Sequence, residues 1–176
     1  MNEIREIVTK AVVGKGKKLI RLRNTVTPEN LAFSILGCWV INHEFEAGLR
    51  DNNVVEIDGT LEINVWYAYD NNTKTDVAKQ VLRYRETIRT RQLVKEVSGD
   101  NRDVIVRVLQ QPTCTNASLK DDEIEVEIVI EILAEVIGET KMMVTVFTNV
   151  ETIDIIDDNF ENEINENFID EKKVVR

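Results

Sequence analysis

Apolar and polar positions alternate with period two along most of this chain, the mark of strands with one buried face. The clearest run is Ile124-Glu125-Val126-Glu127-Ile128-Val129-Ile130-Glu131-Ile132. Its even positions are all β-branched, while Glu125, Glu127 and Glu131 point the other way. Leu61-Glu62-Ile63-Asn64-Val65-Trp66-Tyr67 alternates too and runs into Asp70-Asn71-Asn72-Thr73, a strong turn signal. Further strands are expected near 5–13, 17–26, 34–44, 53–58, 75–95, 102–111 and 140–147. Gly14-Lys15-Gly16, Ala47–Asn53, Ser98–Asn101, Leu119–Asp122 and Gly138-Glu139 punctuate them. Asp58-Gly59 reads equally as a two-residue hairpin or as a bulge within one long strand. Pro28 and Pro112 both fall beside expected strand ends, where a missing N–H does least harm. Eight to ten strands, short turns and no helical period before residue 150 predict an all-β domain over 1–149, an antiparallel β-sandwich or barrel.

Charge separates a second region from that domain. The chain has 176 residues and a net charge of −10, which argues against a nucleic-acid partner. Residues 1–24 hold seven Lys/Arg against two Glu, whereas Glu151 to Asp170 carry eight acids and no base. Residues 150–176 therefore read as an acidic C-terminal tail. Within it Ile153, Ile156, Phe160, Ile164 and Phe168 recur three or four residues apart, so a helix would line them on one face. The tail is either a solubilising appendage or a segment that orders as it docks into a partner. No stretch approaches eighteen apolar residues, so no membrane span is expected. The first residues lack an apolar core and do not read as a secretory signal.

Material for catalysis is thin. The single histidine, His43, shares a strand phase with Trp39 and Ile41 and reads as a structural group hydrogen-bonded at a strand end. Neither it nor the two cysteines offers metal-ligand spacing, so no metal or cofactor is expected. The acids sit on alternating strand positions, as a solvated face does, rather than as a catalytic pair. Ser34 and Ser118 lack a nucleophile-elbow context, and Gly14-Lys15-Gly16-Lys17-Lys18 departs from phosphate-loop spacing and reads as a tight turn.

Arg83, Arg85, Arg89 and Arg91 fall on one face of one expected strand. A nucleic-acid surface would add aromatic residues to that face, but Tyr84 points away. The row is better matched to Glu125, Glu127 and Glu131, either across the sheet within one subunit or between subunits. Cys38 alternates in step with Leu36 and Val40 as a small core residue would. Cys114 follows Gln110-Gln111-Pro112-Thr113, which reads as an exposed connection and makes it the candidate for an intermolecular disulfide. Trp66, Tyr67, Tyr69 and Tyr84 could furnish an aromatic platform for a carbohydrate or other small ligand, the competing reading, while Trp39 reads as core.

Several ordered blocks carry a resemblance. They are Ile7–Val13, Ser34-Ile35-Leu36-Gly37-Cys38-Trp39-Val40-Ile41-Asn42-His43, Asp58-Gly59 with Ile63–Tyr67, and Asn72–Thr75. Val108–Cys114 and Leu133–Lys141 extend the series. Together they resemble the CotE family of outer spore-coat morphogenetic proteins. The resemblance implies a non-enzymatic scaffold, made in the mother-cell cytoplasm and then held in the spore coat, that self-associates into a homo-oligomer or lattice. It further implies placement by the inner coat morphogenetic protein SpoIVA and recruitment of outer coat proteins through the C-terminal region. The tail here departs from the family pattern: it is rich in Asn and closes on Lys172-Lys173-Val174-Val175-Arg176.

Overall fold

The period-two pattern is realised as a few very long strands rather than many short ones. The computed structural model describes residues 2–51 and 53–147. The expected tail, with Ile153, Ile156, Phe160, Ile164 and Phe168, lies outside them. The strands are β1 (Asn2–Val26), β2 (Ser34–Asp51), β3 (Val54–Tyr69), β4 (Lys74–Arg89), β5 (Arg91–Gln92), β6 (Ser98–Lys120) and β7 (Glu123–Phe147). They form two antiparallel sheets, one ordered β5-β1-β7-β6 and the other β2-β3-β4, packed as a sandwich and not closed into a barrel. Glu6–Val144 make up the main compact unit; the other described residues, 2–5 and 145–147, belong to a separate one in which Arg5 pairs with Glu3 at 2.8 Å.

The core is drawn chiefly from β3 and β7, each flanked by a strand on both sides. From β3 it takes Val55, Ile57, Leu61, Ile63, Val65 and Tyr67; from β7 it takes every even residue from Ile124 to Val136. Their β-branched side chains fill a pleated surface well. The turns that read clearly are present. Asp70, Asn71 and Asn72 adopt positive φ between β3 and β4, and Asp121 does so in the two-residue β6–β7 turn.

The expected break at Ser98–Asn101 is the start of β6, and four others are absent, each absorbed inside a strand. At Gly14-Lys15-Gly16, β1 changes phase: Val13 is buried before it, and Ile20 and Val26 after it. There the chain leaves β4 through Thr90 and crosses to β5, which pairs with Gly14 and Lys15. A Cβ on Gly16 would stand 2.3 Å from the Arg89 carbonyl oxygen, so only glycine lets β4 end this close to β1. Pro112 sits within β6, between register shifts flanking Gln110 and Thr113, and β6 is a sheet edge. A bulge on an edge strand needs no N–H there. Gly138 also continues its strand, paired with Arg102.

The fourth is Asp58-Gly59, which is neither hairpin nor bulge: β3 runs straight through, in register with β4 from Val54↔Arg89 to Tyr69↔Lys74. Gly59 is there because Tyr84, its partner on β4, lays its ring across the inner face of β3. Its Oη reaches His43 Nε2 on β2, at 2.7 Å. A Cβ on Gly59 would lie 2.4 Å from Tyr84 Cζ. His43 faces inward because Asn42, at φ 52°, makes a bulge between Ile41 and Glu44. That bulge corrects the expected phase: His43 joins Cys38, Val40 and Phe45 on the core side, opposite Trp39 and Ile41.

Burial pushes the His43 imidazole down and, with Glu86 nearby, pushes the Tyr84 phenol up to about 12, so both meet as neutral groups. Gly59→Ala should cost about 2 kcal/mol in urea unfolding because it drives a methyl group into the Tyr84 ring, and adding Tyr84→Leu should recover part of that loss. The unfolded chain protonates His43 more readily than the folded one. Stability from this group is therefore complete above its ordinary 6.5 and declines as pH falls through that value. Urea midpoints measured down to about pH 5 should fall for the native chain and stay flatter for His43→Gln.

Candidate functional site

Sheet β2-β3-β4 has an inner face on the core and an outer face that nothing in the chain covers among the described residues. Register places its outer side chains in rows. Gly37, Trp66 and Val77 form one, Trp39, Asn64 and Lys79 the next, and Ile41, Glu62 and Val81 the third. Trp39 is 41% exposed, Trp66 44% and Val81 59%. Asn64, in their midst, is buried although it points outward, because the larger side chains around it overhang it. Its amide donates to Glu62 Oε1 at 3.1 Å, and the Asn42 amide donates to Glu62 Oε2 at 3.3 Å, which holds this carboxylate in place. Trp39 therefore belongs to an exposed apolar patch and not to the core. Its partner in the ladder is Asn64, on the outward-facing row of β3, so the apolar run around Trp39 does not mark a core position.

Beyond the patch the face becomes charged, and the charge is sorted by strand. The next rows are Glu44, Thr60 and Arg83, then Glu46, Asp58 and Arg85. Acids thus line the β2 edge and guanidinium groups the β4 edge, around a shallow depression of about 820 Å³. Arg85 Nε donates to Asp58 Oδ1 at 2.6 Å. Arg83 and Arg89 make no ion pair among the described residues.

The expected arginine row is therefore shorter than the sequence suggests, and its acidic counterpart lies elsewhere. Arg91 is on β5, in the other sheet, because the chain crosses over at Thr90. Glu125, Glu127 and Glu131 are on β7, also in the other sheet, so they cannot pair with Arg83, Arg85 and Arg89 across strands. Instead β1 and β6 neutralise them. Lys17 meets Glu131 at 2.8 Å, Arg23 meets Glu127 at 3.1 Å with Arg21 at 3.5 Å, and Lys120 meets Glu125 at 2.7 Å. Lys15 and Arg107 cover Glu135, which is buried beneath them. The Lys15 ammonium holds that carboxyl below its ordinary range; partial burial opposes this and Arg107 reinforces it. Lys15, Lys17, Arg21 and Arg23, four of the seven basic residues of the first 24, thus act as partners for β7, a role their charge hinted at but their spacing did not reveal.

The other candidates are accounted for locally. Cys114 is not in a connection: it lies inside β6, half-buried and packed against the core. Ser34 Oγ donates to Asn72 Oδ1 at 2.7 Å, tying β2 to the β3–β4 turn. Tyr67 is fully buried and Tyr84 nearly so, which leaves Trp39 and Trp66 as the aromatic members of the open face. Among the described residues no group of three His, Cys, Asp or Glu is placed to hold a metal ion, and no helix is long and apolar enough to cross a membrane.

No curated protein and no solved structure matches the chain. The family model for outer spore coat protein E does, over residues 3–174, which takes in the sandwich, its uncovered face and nearly all of the acidic segment. A match across almost the whole length, on a strand-rich protein whose most distinctive surface is an open face and not a reactive cluster, places it among coat proteins: the chain belongs to the outer spore coat protein E (CotE) family.

Proposed function

We propose that the protein is a non-enzymatic scaffold of the spore coat that assembles with copies of itself through the outer face of sheet β2-β3-β4. The observation that carries this is the sorting of charge on that face. A two-fold axis along β3 would lay β2 of one copy over β4 of the next. Glu44 would then face Arg83 and Glu46 would face Arg85, each contact made twice, while Ile41 meets Val81 and the two Trp66 rings meet at the axis. Such self-complementarity is what an isologous interface requires, with an apolar centre and charged rim. Family membership supports the coat setting. The remaining steps in this reading rest on that membership: synthesis in the mother-cell cytoplasm, placement by the inner coat protein SpoIVA, and capture of outer coat proteins through Ile153, Ile156, Phe160, Ile164 and Phe168. Glu125, Glu127 and Glu131 are occupied by β1 and β6, so the self-assembly role narrows to Arg83 and Arg85, with Arg89 at its margin and Arg91, on the other sheet, left out of it.

Two exposed tryptophans also suit a carbohydrate platform, and the two readings separate on size: a sugar-binding module sediments as a monomer.

Charge exchange tests the interface. Arg83→Glu with Arg85→Glu should weaken association in sedimentation velocity by roughly tenfold or more, because like charges then oppose each other. Glu44→Arg with Glu46→Arg should do the same, and an equimolar mixture of the two variants should associate again. Failure of the mixture to associate, with both variants folded, rules out this interface.

The tail has its own test. Removing residues 151–176 should leave sedimentation and thermal unfolding of the sandwich unchanged and abolish capture of outer coat proteins in pull-downs. Phe160→Ser with Ile164→Ser should reproduce most of that loss.

A further inference from the structure

The two cysteines of the chain lie on different sheets and face each other. Cys38 stands opposite Val65 in the β2–β3 ladder, and Cys114 stands opposite Ile128 in the β6–β7 ladder. Val65 and Ile128 are both fully buried. Each thiol therefore points between the sheets, half-buried against the same core. β2 and β6 are the edges that pack together along this side of the sandwich. There the Cys114 thiol is near enough to act on that of Cys38, and Cys114 Sγ donates to the Asn116 carbonyl oxygen at 3.3 Å. These are the only two cysteines in the sequence. Within one chain, each thiol therefore has the other as its one possible disulfide partner.

We propose that Cys38 and Cys114 are an internal cross-linking site, forming one disulfide between the two sheets of a single chain when they meet a low-molecular-weight disulfide. In the first step the Cys114 thiolate attacks the reagent. A Cys114–reagent disulfide forms and one reagent thiolate leaves. In the second, Cys38 gives up its proton and attacks the Cys114 sulfur, and the second reagent thiolate leaves. The chain loses two electrons and two protons, and the reagent is reduced to two thiols. The order follows from the surroundings of Cys38. Burial pushes its thiol up, and the nearby Cys114 pushes it further, so Cys38 serves as the resolving sulfur. Because the second sulfur is already in place, ring closure outruns capture of a thiol on another copy.

The proposal concerns the sandwich itself and holds whether or not the open face self-associates. The test is to incubate the full chain with oxidised glutathione. Denatured, unreduced protein should run as a monomer and lack two hydrogen atoms by intact mass. It should show no titratable thiol and yield one peptide pair joined through Cys38 and Cys114. Closing a loop of about 75 residues restricts the unfolded chain, so the thermal midpoint should rise by several degrees and return on reduction. Cys38→Ser should stop at a mixed disulfide on Cys114. Two outcomes overturn the proposal. One is glutathione retained on both cysteines of the native chain. The other is a disulfide-linked dimer that Cys114→Ser abolishes and Cys38→Ser leaves.

Discussion

A strand can bury one face over sixteen or twenty-five residues only if its alternation stays in phase with the partner sheet as both twist. That constraint governs this molecule. β3 and β7 keep phase throughout, so each delivers an unbroken row of inward residues from Val55 to Tyr67 and from Ile124 to Val136. β4 follows β3 without a shift, but β1, β2 and β6 do not keep phase, and each is reset where it fails. β1 is reset at Gly14–Gly16, β2 at Asn42, and β6 around Pro112. The resets decide what the outside looks like. Without the bulge at Asn42, His43 would point to solvent beside Trp39 and Ile41, and Tyr84 would lose its partner across Gly59.

The two outer faces then treat charge in opposite ways. On the four-stranded sheet, bases from β1 and β6 lie directly against acids from β7, so Glu125, Glu127, Glu131 and Glu135 are each paired. Surface pairs of this kind contribute little each, about 0–1 kcal/mol. Their effect is to leave no unpaired stripe of either sign. On the three-stranded sheet Glu44 and Glu46 of β2 are held apart from Arg83 and Arg85 of β4 by the width of β3, where Asp58 takes Arg85 at 2.6 Å and Glu56 takes Arg50 of β2 at 3.9 Å. A face polarised across its strands and apolar at one end keeps its attraction for something outside the chain. Three strands also leave β2 and β4 as edges, so no further strand fills in the missing partner charges.

The strands themselves were legible because β-branched alternation is strong and local. The places where one strand ends and the next begins were less so. Glycine and proline mark breaks when nothing else explains them. Here Gly16 marks a crossing by β4, Gly59 a crossing by the Tyr84 ring, and Pro112 an edge bulge, all caused by residues far away in sequence. The same long-range origin hid the open face. Trp39 sits in an apolar run and carries no local sign that a bulge three residues on will turn the following positions over. The arginine row was visible at Arg83, Arg85 and Arg89, but its link to the acids of β7 assumed one sheet where there are two. Cys38 in apolar phase was readable; its opposition to Cys114 depended on how β2 and β6 meet, which no local pattern encodes.

The two sides of the sandwich are closed by different means. On one side the backbone itself passes from β4 to β5 through Thr90, and Lys18 adds contacts from β1 to Glu86 and to the Thr87 carbonyl oxygen, at 2.7 and 2.9 Å. On the other side β2 and β6 lie next to each other with no backbone hydrogen bond between them among the described residues, Cys38 and Cys114 both facing the core there. β2 also carries Glu44 and Glu46, the acidic half of the open face, so its position relative to β3 fixes how far the two charge rows stand from each other. Any bond that ties β2 to β6 therefore acts on the core and, through β2, on the geometry of the face that the sandwich presents outward.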